Sequence, residues 1–455
     1  MLAYGQLNYH QLRRPEQAAE VLARLLAAKP PQDLVAPAKY ILAWIDSDAK
    51  RHQQAADRFA EVPKDHELGP DAALQRAICV KETGNMQQAV ALLKEFVETY
   101  GPKASEAQRV NEAKHLLANC QDQLGSYADA VRELSVLAGS DKTCTESVLY
   151  DLAWAQRKNN DRPGAIGTYR RLLEKFQAGK LAPAARTELA ELLYLDKEYA
   201  EAASFLEKVV ADQGVEAGTR AIARYKLGWC YAELSQHQKA AEAFGAFALN
   251  HPDSDVVPSA MYKAGESHME AGNLAESEKF FADLLNRFAD CSEAEAAQLK
   301  LGEVQGRAGN YKDSTATYEK FLKDRGEGSK FAYLAKFGIG WALQNQGRHK
   351  EAREWYRKVI ETHDGETAAR AQFQIGECFL AEKNLVGAAA AFVDVDYTYA
   401  YPKWSSVALY QAGRAFEALG QIDNARSRYD LCISKYKDSD SAALAKERLK
   451  YLENK

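Results

Sequence analysis

The sequence predicts an all-α fold, a right-handed superhelical α-solenoid of about twelve helix-turn-helix repeats closed by a C-terminal capping helix. Two regularities predict this fold. A small residue followed four positions later by a large apolar or aromatic residue recurs at steps of 34 to 41 residues, and a glycine or alanine precedes nearly every such pair by twelve positions. A fixed period in this range is typical of stacked helical hairpins, each of which buries its apolar face against its neighbours.

We call the small residue of each pair the anchor and the large residue four positions later its partner. The anchors are Ala18, Ala55, Ala89, Ala130, Ala165, Ala202, Ala240, Ser277, Ser314, Ala352, Ala388 and Ala425. The partners are Leu22, Phe59, Leu93, Leu134, Tyr169, Leu206, Phe244, Phe281, Tyr318, Tyr356, Phe392 and Tyr429. Because the pair repeats over the whole chain, we expect one architecture throughout.

The repeat around Ser277 shows why each unit is expected to be a hairpin. Met261, Tyr262 and Gly265 follow a helical spacing, which predicts a first helix over 259–271. Gly272 lies five residues before the anchor and ends that helix, since glycine adopts the left-handed backbone readily. A second helix is then expected from Leu274 to about residue 288.

The position twelve residues before the anchor is small in every repeat except the first. It is alanine at 43, 77, 118, 153 and 190, and glycine at 228, 265, 302, 340, 376 and 413. A larger side chain there would hold the two helices of a hairpin apart. We therefore expect the closest helix contact at this position.

These residues together carry a resemblance to a known family. Leu227-Gly228, Tyr231, Ala240 and Phe244 follow the pattern L-G-x2-[YF] and A-x3-[FY], which resembles the tetratricopeptide repeat. The period near 37 and the ending 438–449 are similar to repeats of the bacterial cell envelope, such as those of the barrel-assembly lipoprotein and the Tol-Pal coordinator. The resemblance implies a non-catalytic protein-binding scaffold.

Residues 1–437 are expected to form a continuous solenoid with a truncated first repeat, and residues 438–455 a capping helix. Counting back from Ala18 places Met1 inside a first helix, so we expect that Met1 is not the natural start. The expected location is the periplasm or cell envelope if a signal sequence precedes Met1, and the cytoplasm otherwise. The chain is also expected to be able to self-associate through the uncapped first repeat, as an alternative to binding a different protein.

Composition argues against several other classes of protein. A net charge of -5 over 455 residues does not favour nucleic-acid binding, and no apolar run is long enough for a membrane span. Cys79, Cys120, Cys230 and Cys378 each lie ten residues before an anchor, which predicts one shared packing position. No metal-ligand spacing, phosphate-binding loop or nucleophile motif occurs, so we expect no cofactor, no metal and no enzymatic activity.

The candidate partner-binding residues lie on the first helices, which line the concave surface in this architecture. Three residues before the small position lie Tyr40, Tyr150, Tyr225, Tyr262, Phe337, Phe373 and Tyr410, and one residue after it lie Trp44, Trp154, Trp229, Trp341, Glu191, Glu266, Glu303, Glu377 and Arg414. An aromatic stripe with charged residues beside it is typical of a protein-binding groove. The alternative is that these rings pack against neighbouring repeats.

The predicted function is a scaffold or adaptor that binds a protein or peptide segment, in bacterial envelope assembly or maintenance. The alternative is a repeat arm that regulates, or presents substrate to, an upstream catalytic domain. The carboxylate clamp of tetratricopeptide co-chaperones is not expected, because His115, Asp151 and Glu188 stand where that clamp needs donors. The aromatic segment 394–402 is a second candidate binding element, as a long connector between repeats.

Overall fold

A computed structural model describes residues 1–326 and 328–453 of the chain. These residues form 25 α-helices, a π-helical turn at Leu7–Gln11 and a 3-10 helix at Ala104–Glu106, with no β-strand in the described part. The chain divides into two compact units, Met1–Ala223 and Arg224–Lys455. We describe each unit by itself.

The helices follow one another in pairs, the odd-numbered helix being the first of a repeat and the even-numbered helix the second. In the first unit they are α1 (Leu2–Gln6), α2 (Pro15–Ala27), α3 (Gln32–Asp48), α4 (His52–Ala60), α5 (Gly69–Glu82), α6 (Met86–Tyr100), α7 (Ala107–Gln123), α8 (Tyr127–Ala138), α9 (Glu146–Lys158), α10 (Arg162–Lys175), α11 (Ala182–Leu195) and α12 (Tyr199–Ala211). The boundary between the units falls within α13 (Ala217–Glu233).

The second unit continues the same alternation. Its helices are α14 (His237–Asn250), α15 (Val257–Glu270), α16 (Leu274–Arg287), α17 (Ala294–Arg307), α18 (Tyr311–Arg325), α19 (Ala332–Asn345), α20 (His349–Thr362), α21 (Glu366–Ala381), α22 (Leu385–Thr398), α23 (Pro402–Ala418), α24 (Ile422–Lys435) and α25 (Asp440–Glu453). From α1 to α12 and from α14 to α25, each helix packs on the next one along the chain. The prediction of an all-α protein built from helical hairpins is confirmed.

In the second unit the partner side chain of each hairpin lies directly over the small position of the first helix. In the second unit that position is always glycine, and a Cβ built on any of the six would lie 2.4 to 2.8 Å from a carbon of the partner ring. For Gly376 the nearest atom belongs to Phe392, at 2.5 Å. A methyl group has no room there, so the rings of Phe and Tyr partners require glycine in this unit.

Two anchors are serine rather than alanine, and the structure gives the reason. Ser277 and Ser314 are completely buried, and their hydroxyls donate to the carbonyls of Gly265 and Gly302, both at 2.7 Å. A buried hydroxyl needs such an acceptor. The bond therefore ties the anchor to the small position of the same hairpin.

The turn between the two helices of each repeat has a residue with a left-handed backbone conformation at the same position. Five residues before the anchor, Gly84, Gly125, Gly272, Gly309, Gly347 and Gly420 have φ between 75° and 85°. The repeat pattern that predicts a turn at Gly272 applies to all six. The other six repeats place Arg13, Lys50, Asn160, Lys197, Ser235 and Lys383 there, with φ between 52° and 64°. Those side chains adopt a backbone conformation that costs most L-residues about 1–2 kcal/mol.

The C-terminal helix is α25, which begins at Asp440, two residues later than predicted. Ala442, Ala445 and Leu452 are buried on its inner side, whereas Leu444 is exposed. The Arg448 guanidinium forms two hydrogen bonds to the Glu417 carboxylate of α23, one of them at 2.8 Å. Residues 454 and 455 of the predicted capping segment lie outside the described residues.

The aromatic segment 394–402 is mostly helical rather than a long connector. The helix α22 extends to Thr398, so only residues 399–401 separate it from α23. The sequence analysis missed this because the five tyrosine, threonine and alanine residues at 397–401, before Pro402, resemble a loop. The segment therefore presents side chains from the last turn of a helix.

Replacing Lys383 by glycine tests the left-handed turn position. Lys383→Gly removes the cost of a Cβ at φ 61° and adds the unfolded-state entropy of glycine. We expect a net gain of about 0.5 kcal/mol in unfolding free energy, measured by thermal unfolding. The matched control Gly347→Lys, at the same turn position, should lose about 1 kcal/mol. A lower melting temperature for Lys383→Gly would contradict this interpretation.

Candidate partner-binding surface

The candidate residues lie on the first helices of both units, and we call the surface they form within each unit its first-helix face. All seven aromatic residues that precede the small position contact the partner ring of their own hairpin. The ring pairs are Tyr40–Phe59, Tyr150–Tyr169, Tyr225–Phe244, Tyr262–Phe281, Phe337–Tyr356, Phe373–Phe392 and Tyr410–Tyr429, with centroids 5.2 to 5.9 Å apart. These aromatic residues therefore pack within their own repeat.

The series is nevertheless not fully buried. Phe337 and Phe373 are each only 8% exposed, whereas the five tyrosines are half-buried. A ring that leans on the core with one edge and meets solvent with the other can also contact a partner. The tyrosines are thus the accessible members, and the two phenylalanines are core residues.

In the first unit, Tyr40 and Trp44 form a compact aromatic pair on α3. Their ring centroids are 6.3 Å apart, and each lies 5.8 Å from Phe59. The Tyr40 hydroxyl donates to Asp71 of the next repeat at 2.5 Å. Burial, followed by this hydrogen bond, raises the pKa of Tyr40 to about 12. The pair is therefore held in place from two repeats.

Trp154, on α9, has cations rather than core rings beside it. The Lys158 ammonium lies 4.9 Å from the ring centroid and the Arg157 guanidinium 5.8 Å. Arg157 also donates to the carboxylates of Glu188 and Glu191 on α11. The predicted site residues Trp154 and Glu191 are thus linked through Arg157, a residue that the sequence pattern did not single out.

The same face carries two further acidic residues, Asp122 and Asp151. The Nε2 atom of His115 and a carboxylate oxygen of Asp151 are 2.6 Å apart, in the positions where a carboxylate clamp would need donors. Burial raises the pKa of Asp122, and the negative charge of Asp151 adds to the effect, while Lys158 and the Trp154 indole oppose it. One oxygen of Asp122 is buried without a hydrogen-bond partner.

In the second unit, Tyr225 and Trp229 repeat the arrangement of a paired tyrosine and tryptophan. Their centroids are 6.3 Å apart, and both rings lie 5.6 Å from Phe244. The Lys263 ammonium of the next repeat lies 4.9 Å from the Trp229 centroid. The accessible side of Trp229 is therefore partly covered by a lysine of the same chain.

The predicted glutamates on this face differ in whether a cation lies close to the carboxylate. Glu266 accepts hydrogen bonds from Tyr262 at 2.9 Å and Lys263 at 2.8 Å. Glu303 pairs with Lys300 at 3.0 Å and with Arg307 at 2.5 Å. Burial would raise the pKa of Glu303, but the two cations outweigh it, and the pKa is lowered.

Glu377 differs from these glutamates because no ion pair involving it occurs among the described residues. One of its carboxylate oxygens is buried without a hydrogen-bond partner, and burial raises its pKa.

Two further predicted residues lie on the same face. The ring centroid of Trp341 lies 5.9 Å from that of Tyr311 of the preceding repeat. Arg414, the last predicted charged residue, is exposed.

The four cysteines at the shared repeat position are buried and reduced. Cys79, Cys120, Cys230 and Cys378 are each 2% exposed or less, which confirms the predicted packing role. Within residues 1–326 and 328–453, no group of His, Cys, Asp or Glu side chains could hold a metal ion. No helix in the same part of the chain is both long enough and apolar enough to span a bilayer.

Two models of the tetratricopeptide repeat match the sequence. One matches residues 150–217 and 299–367, and the other matches 223–254, 259–290 and 407–439, together about half of the chain. The chain therefore belongs to the tetratricopeptide-repeat family. No curated protein sequence matches it.

Solved structures with a similar arrangement of helices are distant in sequence. A tetratricopeptide repeat protein from Parabacteroides merdae is 17% identical, with 60% of this chain and 98% of that chain covered and a TM-score of 0.38. The C-terminal part of a repeat protein from Cytophaga hutchinsonii is 13% identical, with 57% and 98% covered and a TM-score of 0.44. PilW, a type IV pilus biogenesis factor, is 15% identical, with 51% and 99% covered and a TM-score of 0.39. We draw no functional conclusion from these similarities.

Neutralising Glu377 tests the unpaired carboxylate on the first-helix face. Since burial raises its pKa, the charged form destabilises the folded state above that pKa, and the penalty disappears as the pH falls towards 4.5. We expect Glu377→Gln to raise the unfolding free energy at pH 7 by about 0.5 kcal/mol, a value reduced for solvent screening. The difference from the wild type should shrink at pH 5.

The matched control is Glu303→Gln, at the same position two repeats earlier. Because its pKa is lowered, the carboxylate of Glu303 stabilises the fold above pH 4.5, and this contribution is lost as the pH falls through the lowered pKa. Glu303→Gln should therefore lower the unfolding free energy at pH 7. The same sign of effect for both variants would refute the distinction.

Proposed function

We propose that this protein is a non-catalytic scaffold whose first-helix face binds a segment of another protein. The tetratricopeptide family assignment supports protein binding in general terms. The half-buried tyrosines and tryptophans support this particular face, because amphipathic rings held by the core present contact area at low entropic cost. Of the sixteen residues predicted from the sequence, we retain fourteen as candidate contact residues and leave out the core residues Phe337 and Phe373.

Trp154 is the observation on which this proposal mainly depends. Its indole is half-buried and makes no contact with another aromatic ring among the described residues, and the side chains of Lys158 and Arg157 lie beside it. A partner can therefore reach the exposed part of the ring. Arg157, Lys158 and Asp122 surround it with charge of both signs. Aromatic residues rimmed by polar groups are typical of binding hot spots.

We further propose that the partner belongs to the bacterial cell envelope. What supports this setting is the similarity of the loops between repeats and of the ending 438–449 to envelope tetratricopeptide proteins. Self-association through the first repeat stays a prediction. It is supported by the exposed apolar side chains of Met1, Tyr4 and Leu7 on the outermost helical segment.

A capture experiment with a matched tryptophan variant tests the proposal. Full-length protein, Trp154→Ala and Trp355→Ala would be used as baits for lysate of the source organism, and captured proteins would be identified by mass spectrometry and remade in pure form. Trp355 is the control because it lies on a second helix, with Lys358 3.8 Å from its ring centroid. We expect Trp154→Ala to weaken binding of the purified partner at least tenfold, or about 1.4 kcal/mol, and Trp355→Ala to leave it unchanged.

Equal binding by all three proteins would rule out the first-helix face of the first unit as the binding surface. Far-ultraviolet circular dichroism would verify that both variants keep their helices. A catalytic domain upstream in the same polypeptide would instead favour the role of a regulatory or substrate-presenting arm.

A further inference from the structure

A second surface, on the opposite side of the hairpins from the first-helix face, has the features of a docking site. A groove of about 490 Å³ is lined by the second helices α20 and α22 and by the first helix α21 between them. Its walls include Ile360 of α20, Ile375 and Phe379 of α21, and Ala390 and Asp394 of α22. We call this the outer groove. It belongs entirely to the second unit.

At the outer groove the chain has a small residue where the repeat of Ser277 has a large one. Three residues after the anchor, the repeat of Ser277 carries Phe280, whose ring approaches Gly245 of the preceding second helix so closely that a Cβ there would be 2.9 Å away. The equivalent residue of α22 is Ala391, which also lines the groove. A methyl group cannot span the gap between second helices that a phenyl ring fills.

An exposed apolar stripe extends along the same helix. Val386 is 65% exposed and Tyr397 is 88% exposed, and Ala390 between them is also exposed. Residues 386, 390, 393 and 397 share one side of α22 by helical spacing. The stripe is roughly 16 Å long, which matches about three turns of an opposing helix.

The charge at the groove defines the chemistry of its occupant. Asp394 lies six residues after its anchor. Two other repeats have a charged residue in an ion pair at this position, namely Glu95, which pairs with Lys64, and Lys320, which pairs with Asp324. Among the described residues Asp394 has no ion pair, even though Arg357 lines the opposite wall. Burial is the cause of its raised pKa, and no cation offsets that cause. Asp394 is exposed, and the lining holds the two carboxylates of Asp394 and Glu361 against the single cation of Arg357. A cation of a partner would therefore complement the excess negative charge of the groove.

We propose that the outer groove docks an amphipathic helix of a partner protein, with the helix's apolar face on Ala390 and Ala391 and one of its Lys or Arg residues at Asp394. This is the helix-in-groove mode of recognition, in which apolar residues at spacings of three and four anchor the ligand. The charge at Asp394 sets the preference for a basic helix. The site is separate from the first-helix face, so it stands or falls independently of the function proposed above.

The test uses two fluorescein-labelled peptides of about 18 residues, or about five helical turns. Both carry the same leucine and alanine stripe, and one has lysine where the other has glutamate. Fluorescence anisotropy would measure their affinity for the full chain, for Asp394→Lys, for Ala390→Tyr and for Asp283→Lys. Asp283 is the matched control, since it is an exposed aspartate at the same position after its anchor in the repeat of Ser277.

We expect the wild type and Asp283→Lys to bind the lysine peptide at least tenfold more tightly than the glutamate peptide. Asp394→Lys should weaken binding of the lysine peptide roughly tenfold, and Ala390→Tyr should weaken binding of both peptides by filling the groove. Hydrogen exchange of α22 would verify that each variant is folded.

Three results would overturn the proposal. One is an equal affinity of the wild type for the two peptides, and another is an effect of Asp283→Lys as large as that of Asp394→Lys. The third is a doubled mass in dilute solution that Ala390→Tyr abolishes, with no peptide binding by the wild type. In that case the groove would be an interface between two copies of the chain.

Discussion

The hairpins of this protein depend on one contact, between the partner side chain of the second helix and the small residue of the first. In the second unit this is a ring lying over a glycine that has no room for a methyl group. In the first unit the sequence pairs a leucine or a ring with alanine in every repeat except the first. Where a ring lies over a glycine with no room for a methyl group, the size of these two residues sets the spacing of the hairpin.

The candidate binding surface is built on that same contact. Every candidate aromatic residue three positions before the small residue contacts the partner ring of its hairpin. One edge of such a tyrosine ring therefore meets the core, and the other edge meets solvent. This arrangement holds the accessible tyrosines rigidly without burying them, which favours binding because little side-chain entropy remains to be lost. It also means that most aromatic residues of the face contact the core of their hairpin, whereas no ring contact of Trp154 occurs among the described residues.

The fold could be predicted from the sequence because its signal is a repeat. One hairpin pattern is ambiguous, but twelve copies in phase identify the anchor, the partner, the small residue and the turn. The bounds of α16 and the six glycine turns agreed closely with this pattern. The left-handed conformation of Lys50, Lys197 and Lys383 could not be predicted from those residues themselves, because lysine has no preference for it. Only their position in the repeat indicates it.

The candidate site was less predictable than the fold. Spacing places Tyr225 beside Trp229, as the structure has it, but spacing does not reveal that Lys263 of the next repeat covers the indole. The pairing of Arg157 with Glu188 and Glu191, and the isolation of Glu377 and Asp394, depend on side chains of different repeats. Such contacts have no sequence period. The outer groove was missed for the same reason, since its cause is the absence of a large side chain at Ala391.

A double-mutant cycle at Gly376 and Phe392 tests the contact on which the fold depends. Native-state hydrogen exchange would give the opening free energies of α21 and α22. Gly376→Ala should cost about 2 kcal/mol by overpacking, and Phe392→Leu about 1 kcal/mol by leaving a cavity. The double variant should recover at least 1 kcal/mol of the sum, because alanine opposite leucine is the natural combination at Ala77 and Leu93. Strictly additive losses would show that the two residues do not set the helix spacing together.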